Sequence, residues 1–293
     1  MELNKTLHQS ITALKEGKFQ EAERLYSKIL QIYPAHPEAN HYLGVTLYIL
    51  GKLKEAEIRF KKSIELKPDY TEAYYNLGIT LQKLNKLVEA EESYKKALAL
   101  KPDYVDAHNN LGITLQKLFK HEEAEASYKK SLLLKPDYAI THNNLGNALK
   151  DLGRLNEAEE SYKKALALKS DYKAALLNRG QVLFEKSEFE LALKDFDTCN
   201  TADSRSRALT SLYALGRVEE VYERIESLSK TDLKNIRVAA FSAFLASRQN
   251  RTPRYNFCNN PLSMLDHMFQ IQAAYYNLGL NENDFHSSSP YHL

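Results

Sequence analysis

Two cysteines in 293 residues, Cys199 and Cys258, cannot build a disulfide framework, which fits a reducing compartment. Net charge is equally scarce. Forty basic residues against 38 acidic ones leave +2, with no push toward nucleic acid or an anionic membrane. No run of about eighteen apolar residues occurs, so no transmembrane helix is expected. The first thirty residues hold no apolar core of signal-peptide length, and a cytoplasmic location is expected. No glycine-rich loop of the phosphate-cradling kind is present either.

What the chain has is a period. LGITLQKL stands at 77–84 and again at 111–118, and SYKKALALK at 93–101 and again at 161–169. The shifts are 34 residues and twice 34. A sequence that repeats in this way is read unit by unit. With Thr71 as position 1 and Tyr104 as position 34, Tyr74, Leu77, Gly78, Leu81 and Leu84 fall on one helical face. A second set follows at Leu87, Ala90, Tyr94, Ala97, Leu98 and Leu100. Pro102 is expected to stop that second helix and Asp103 to cap the next one, so the unit is a helical hairpin.

Small residues account for its tightness. Position 8 is Gly44, Gly78, Gly112, Gly146 and Gly180; position 20 is alanine in every unit. A glycine inside a helix is unfavourable by roughly 1 kcal/mol, so its recurrence points to close approach of the paired helix. Position 24 supplies a large ring: Tyr26, Phe60, Tyr94, Tyr128, Tyr162 and Phe196.

With small residues at 8, 20 and 27, an aromatic at 24 and proline at 32, the chain closely resembles the tetratricopeptide repeat. Six units match, 3–36, 37–70, 71–104, 105–138, 139–172 and 173–206. The departures are Ser10 at position 8, Ser170 in place of proline and Arg179 at position 7. The resemblance implies an all-α fold, an α-solenoid in which hairpins wind into a right-handed superhelix. One hairpin cannot bury enough apolar surface alone, so stability rests on contacts between neighbours.

The expected organisation is six repeats over 1–206, degenerate repeat helices over 207–250, and a loop and C-terminal helix over 251–293. Residues 205–229 read as a hairpin with Gly216 at position 15 and a shortened first helix. Residues 234–249 read as a further amphipathic helix. The last hairpin looks unfinished, and its apolar face (Met268, Phe269, Ile271, Tyr275) needs cover.

First helices in such an array line the concave surface, where positions 2, 5, 6, 9, 12 and 13 share one side. Position 6 is Asn76, Asn110, Asn144 and Asn178 in four successive units. An asparagine amide both donates and accepts, so this row is suited to holding an extended peptide backbone. It resembles the asparagine ladder in the repeat superhelix of O-linked N-acetylglucosamine transferases. Tyr75, Asn109, Asn143, Asn147, Lys83 and Lys117 complete the expected peptide-binding face. The family's cationic carboxylate clamp is absent, because position 5 holds no lysine.

Other constellations read as structure. His108 and His142 occupy a packing position, and no carboxylate or cysteine completes a metal site. His36-Pro37-Glu38 and His121-Glu122-Glu123 mimic the start of an iron triad without its distal histidine. The carboxylates at 89–92 and 157–160 read as i,i+4 partners of lysines on a solvated face. Cys199 reads as inert core. The expectation is a non-enzymatic scaffold that binds a protein or peptide segment in its groove, with no metal or cofactor. The alternative is the repeat region of a larger bacterial enzyme of glycosyltransferase, sulfotransferase or 2-oxoglutarate/iron oxygenase type. Self-association through the C-terminal helix is a third reading.

Overall fold

The computed structural model describes residues 2–231 and residues 237, 238, 241, 242 and 245. The expected loop at 251–261, the C-terminal helix, its apolar face and Cys258 all lie outside the described residues, as does most of the helix expected at 234–249. Among the described residues all regular structure is helical.

Fourteen helices follow one another among these residues. They pair as α1 (Glu2–Lys15) with α2 (Phe19–Ile32), α3 (Pro37–Ile49) with α4 (Leu53–Leu66), and α5 (Thr71–Lys83) with α6 (Leu87–Leu100). Next come α7 (Val105–Lys117) with α8 (His121–Leu134), and α9 (Ala139–Asp151) with α10 (Leu155–Leu168). The last pairs are α11 (Lys173–Glu185) with α12 (Phe189–Cys199), and α13 (Ala202–Ala214) with α14 (Val218–Thr231). The chain forms two compact units, the first ending at Ser170 and the second beginning at Asp171. The division falls inside the array that the periodicity reads as continuous.

In the first unit each second helix also packs on the first helix of the next repeat, and α3, α5, α7 and α9 lie side by side. This is an all-α solenoid held together by neighbour contacts. The glycine at position 8 explains the tightness of each hairpin. A methyl group added to Gly112 would sit 2.5 Å from the ring of Tyr128, and one added to Gly146 would sit 2.5 Å from Tyr162. These rings are buried completely. At position 27 a serine serves both halves of the repeat. The Ser63 hydroxyl donates to the carbonyl of Pro37 at 2.9 Å, and Ser131 donates to that of Val105 at 3.1 Å.

Turns repeat as faithfully. Position 15 is left-handed at Gly17, Gly51 and Gly153, but also at Asn85, Phe119 and Ser187, where a side chain is strained. The prolines at position 32 follow the ends of α2, α4, α6 and α8 as expected, with Lys101 as the C-cap of α6, while α10 ends before Ser170 without one. The capping expectation needs correction. The N-cap of α7 is Tyr104, not Asp103, and it makes no side-chain cap bond. Instead the ammonium of Lys101 lies 5.1 Å from the Tyr104 ring centre, a cation–π contact repeated by Lys67 on Tyr70 and Lys135 on Tyr138.

The second unit breaks these rules one by one. Helix α12 has 11 residues where α10 has 14. Left-handed Asn200 ends it, and Thr201 and Ser204 form a reciprocal capping box that starts α13 at once. So α13 keeps the usual 13 residues, and it is the preceding helix that is shortened. That exchange is the source of the register break. Arg179, the outlier at position 7, forms a two-pronged ion pair with buried Asp195 at 2.7 and 2.5 Å. Cys199 is buried, and its thiol donates to the Lys173 carbonyl at 3.4 Å.

Candidate peptide-binding surface

The asparagines at position 6 are half-buried, and three of them sit in the first unit on adjacent first helices. Each donates its amide nitrogen to the position-5 side chain of the preceding repeat. Asn76 donates to Nε2 of His41 at 2.9 Å, Asn110 to the Tyr75 hydroxyl at 3.1 Å, and Asn144 to Oδ1 of Asn109 at 3.1 Å. The row is therefore a bonded chain between α3, α5, α7 and α9. Oδ1 of Asn76 and of Asn144 accepts no bond from the described residues. Oδ1 of Asn110 accepts from Asn109 at 3.3 Å and keeps a second lone pair. Asn178 is half-buried on α11, in the second unit.

Position 5 turns out to be a joint between helices more than groove lining. Asn109 and Asn143 are each about 5% exposed, as is His41. Asn109 also accepts from the Thr141 hydroxyl at 3.0 Å. Asn109 and Asn143 sit beneath the surface they were expected to form. Tyr75 is half-buried. Asn147 accepts from the Tyr162 hydroxyl at 2.7 Å, and Lys83 and Lys117 are exposed.

His41 is the residue that the sequence reading passed over. Because an amide nitrogen only donates, Nε2 of His41 must be the acceptor and Nδ1 must carry the proton. Nδ1 lies 3.1 Å from the Tyr70 hydroxyl, to which it donates. Burial pushes the imidazole down to about 4, against the smaller upward pull of Glu72 and Glu38. Neutral His41 is thus part of the joint. His108 and His142, considered for metal, use Nε2 to hold the carbonyls of Pro102 and Pro136 at 2.9 and 2.8 Å. Asn40 does the same for Pro34. His36 is the N-cap of α3. Among the described residues no three His, Cys, Asp or Glu side chains gather as ligands.

The carboxylate runs also do more than expected. Glu91 and Glu159, from the runs at 89–92 and 157–160, are buried, not solvated, and so are Glu57 and Glu125 at the same repeat position. Glu57, Glu91 and Glu125 act across repeats. Each joins a lysine four residues on to the basic residue at position 16 of the next repeat. Glu91 meets Lys95 at 2.5 Å and Lys120 at 2.8 Å; Glu57 meets Lys61 and Lys86; Glu125 meets Lys129 and Arg154. Burial raises the Glu91 carboxyl, but bonds from Lys120 and Lys95 outweigh it and hold it below the usual carboxylate range. A constant separation of 29 residues carried that signal in the sequence.

Three family models, each described as tetratricopeptide repeat, match residues 13–77, 71–104 and 103–171. Among solved structures, pilF of Pseudomonas aeruginosa is 21% identical with a TM-score of 0.59, covering 71% of this chain and 97% of that one. A MamA crystal structure is 28% identical with a TM-score of 0.54, covering 58% of this chain and 92% of that one. YrrB, described as a TPR protein with an unusual peptide-binding site, is 21% identical with a TM-score of 0.54. It covers 65% of this chain and 97% of its own. Comparison with curated proteins gives no match. No helix among the described residues is long and apolar enough to cross a membrane.

Proposed function

The chain is a tetratricopeptide repeat protein, a protein-interaction scaffold by its fold, and we propose that it holds an extended partner segment along the first helices of its first unit. The observation that carries this is the bonded asparagine row. Tying the amide nitrogens of Asn76, Asn110 and Asn144 to the preceding helix fixes each side chain, so a partner need not order it. What the row then offers is acceptors. It would take backbone N–H groups of a segment lying across α5, α7 and α9, with little selection among side chains. In this reading the protein is non-catalytic, and specificity comes from the residues flanking the row.

The test is capture from native lysate by the whole chain, compared with Asn110→Ala/Asn144→Ala. The inter-repeat bonds mean that each substitution costs about 1 kcal/mol of stability, so both proteins are assayed well below their melting transitions. Loss of the captured partner from the double variant, with helicity retained, is expected. A control substitution on the outer surface, Leu133→Ser, leaves capture intact. Undiminished affinity in the double variant would sink the reading.

A further inference from the structure

We infer that a second groove of the first unit, between the second helices α6 and α8, takes an apolar stretch of another copy of this chain, residues 264–278. The groove measures about 610 Å³ and is mostly apolar. Leu111 and Leu115 of α7 line it, together with Leu98 of α6, Pro102, and Ala126 and Leu133 of α8. None of the position-6 asparagines takes part in it, so the inference stands apart from the reading of the asparagine row.

The sequence of α8 marks this groove. Helices α6 and α10 are identical apart from Val88 against Asn156. Among the departures of α8 from both are two at exposed positions: Ala126 stands for Glu92 and Glu160, and Leu133 for Ala99 and Ala167. Both changes make the surface more apolar. Both fall on the wall of the groove, seven residues apart on one helical face. Leu133 is 83% exposed, so the fold gains little from it. A single exposed leucine is ordinary. A leucine gained and a carboxylate lost on the same wall, in one of three otherwise similar helices, point to a face that meets another surface.

The chain carries a matching surface beyond Leu245, in residues 246–293. There Met264, Met268, Ile271, Tyr275 and Leu278 recur at steps of four and three, the spacing of one helical face. Leu265, Phe269 and Tyr276 make neighbouring positions apolar too. Asp266 is the one Asp, Glu, Lys or Arg in 261–280, whereas α6 carries five in 14 residues. A helix with so little polar surface is buried on more than one side. Packing in the manner of a repeat covers one side. Residues 283–293, NDFHSSSPYHL, make a poor second helix for covering another. The lengths agree as well: as a helix, 264–278 spans about 22 Å, and the 14-residue α6 and α8 span about 21 Å each.

The experiment is sedimentation velocity on the full chain over a dilution series. Seating the stretch of one copy in the groove of the next is a head-to-tail contact, so species larger than a dimer are expected at the concentrated end and monomer at the dilute end. Ala126→Glu/Leu133→Ala gives α8 the residues that α6 and α10 carry at those positions. It should keep the melting temperature of the dilute wild-type chain and sediment as a monomer throughout. Met268→Glu/Tyr275→Glu should also abolish association. Mixed in equal amounts, the two variants should form dimers and nothing larger, since one intact groove then meets one intact stretch. A wild-type chain that is monomeric at every concentration would overturn the inference, a stretch folded back on its own chain included. Association that survives Met268→Glu/Tyr275→Glu would overturn it in favour of a contact between two α8 faces. Association that survives Ala126→Glu/Leu133→Ala would overturn it by seating the stretch elsewhere.

Discussion

The two units of this molecule solve one problem in opposite ways. In the first unit contacts recur at steps of 34 residues: a ring over a glycine in repeats two to five, a glutamate bridging two repeats at Glu57, Glu91 and Glu125, an asparagine joined to the preceding helix at Asn76, Asn110 and Asn144, and a left-handed residue at each turn. The second unit keeps the helices, the ring of Phe196 over Gly180 and left-handed turns at Ser187 and Gly216, but adds contacts that occur once. Arg179 and Asp195 stand where repeats three to five have leucine and serine. A capping box replaces the proline turn, and Arg224 reaches Asp197 at 2.6 Å. Translated contacts can be weakened in one repeat while their copies persist. A contact made once has no copy to fall back on.

The largest effect expected from that difference is at Asp195. Asp195→Ala leaves a guanidinium less than a quarter exposed without its carboxylate and should cost roughly 4 kcal/mol, read as a lower urea midpoint. Installing the pair used elsewhere, Arg179→Leu/Asp195→Ser, should recover most of the loss. A double variant no better than the single would show that the second unit does not tolerate the contact set of the first.

Acid should act next, and on the first unit. The folded pKa of His41 is lowered to about 4, below the 6.5 of a free imidazole, so the unfolded chain binds the proton first as pH falls. The stability His41 contributes is complete above about pH 6.5 and is lost progressively toward pH 4, up to about 3 kcal/mol. Glu57, Glu91 and Glu125 are held below the carboxylate range, so their share is lost at lower pH still. His41→Gln should flatten the melting temperature between pH 6.5 and 4. An unchanged pH profile in that variant would remove His41 from the joint.

The smallest effect tests how faithful the translated set is. Phe119 occupies the left-handed turn position that is glycine in three repeats, and it is two-thirds exposed. Phe119→Gly should raise stability by up to about 1 kcal/mol, and Asn85→Gly by less, because asparagine tolerates that conformation. Destabilisation by Phe119→Gly would mean that the ring, which packs edge-on to His121, matters more than the backbone.

Much of this was legible beforehand, and the residues show why. Gly112 and Tyr128 announced their contact by recurring together, since both requirements are local to one hairpin. Pro102 and Gly153 marked a stop and a turn through their own backbone limits. The surface was harder to read. Asn109 and Asn110 are adjacent identical residues in the sequence, yet one is buried in a joint and the other half-exposed. Nothing in either side chain says which is which. Glu91 was readable as a partner of Lys95 from helical spacing, whereas its bond to Lys120 left only a constant separation of 29 residues, whose meaning depends on how α6 meets the next turn.

By itself the sequence determined the unit: its length, its two helices and the small residue under the ring. These follow from covalent geometry and from apolar spacing along one helix, which every copy restates. Only the tertiary structure decided how the polar residues are spent. It turned the asparagine amides inward, buried His41 in neutral form and joined Glu57, Glu91 and Glu125 to basic residues of two repeats each. Each of those outcomes depends on what the neighbouring repeat brings within about 3 Å, and hydrogen-bonding distance is a property of the stack, not of any one repeat.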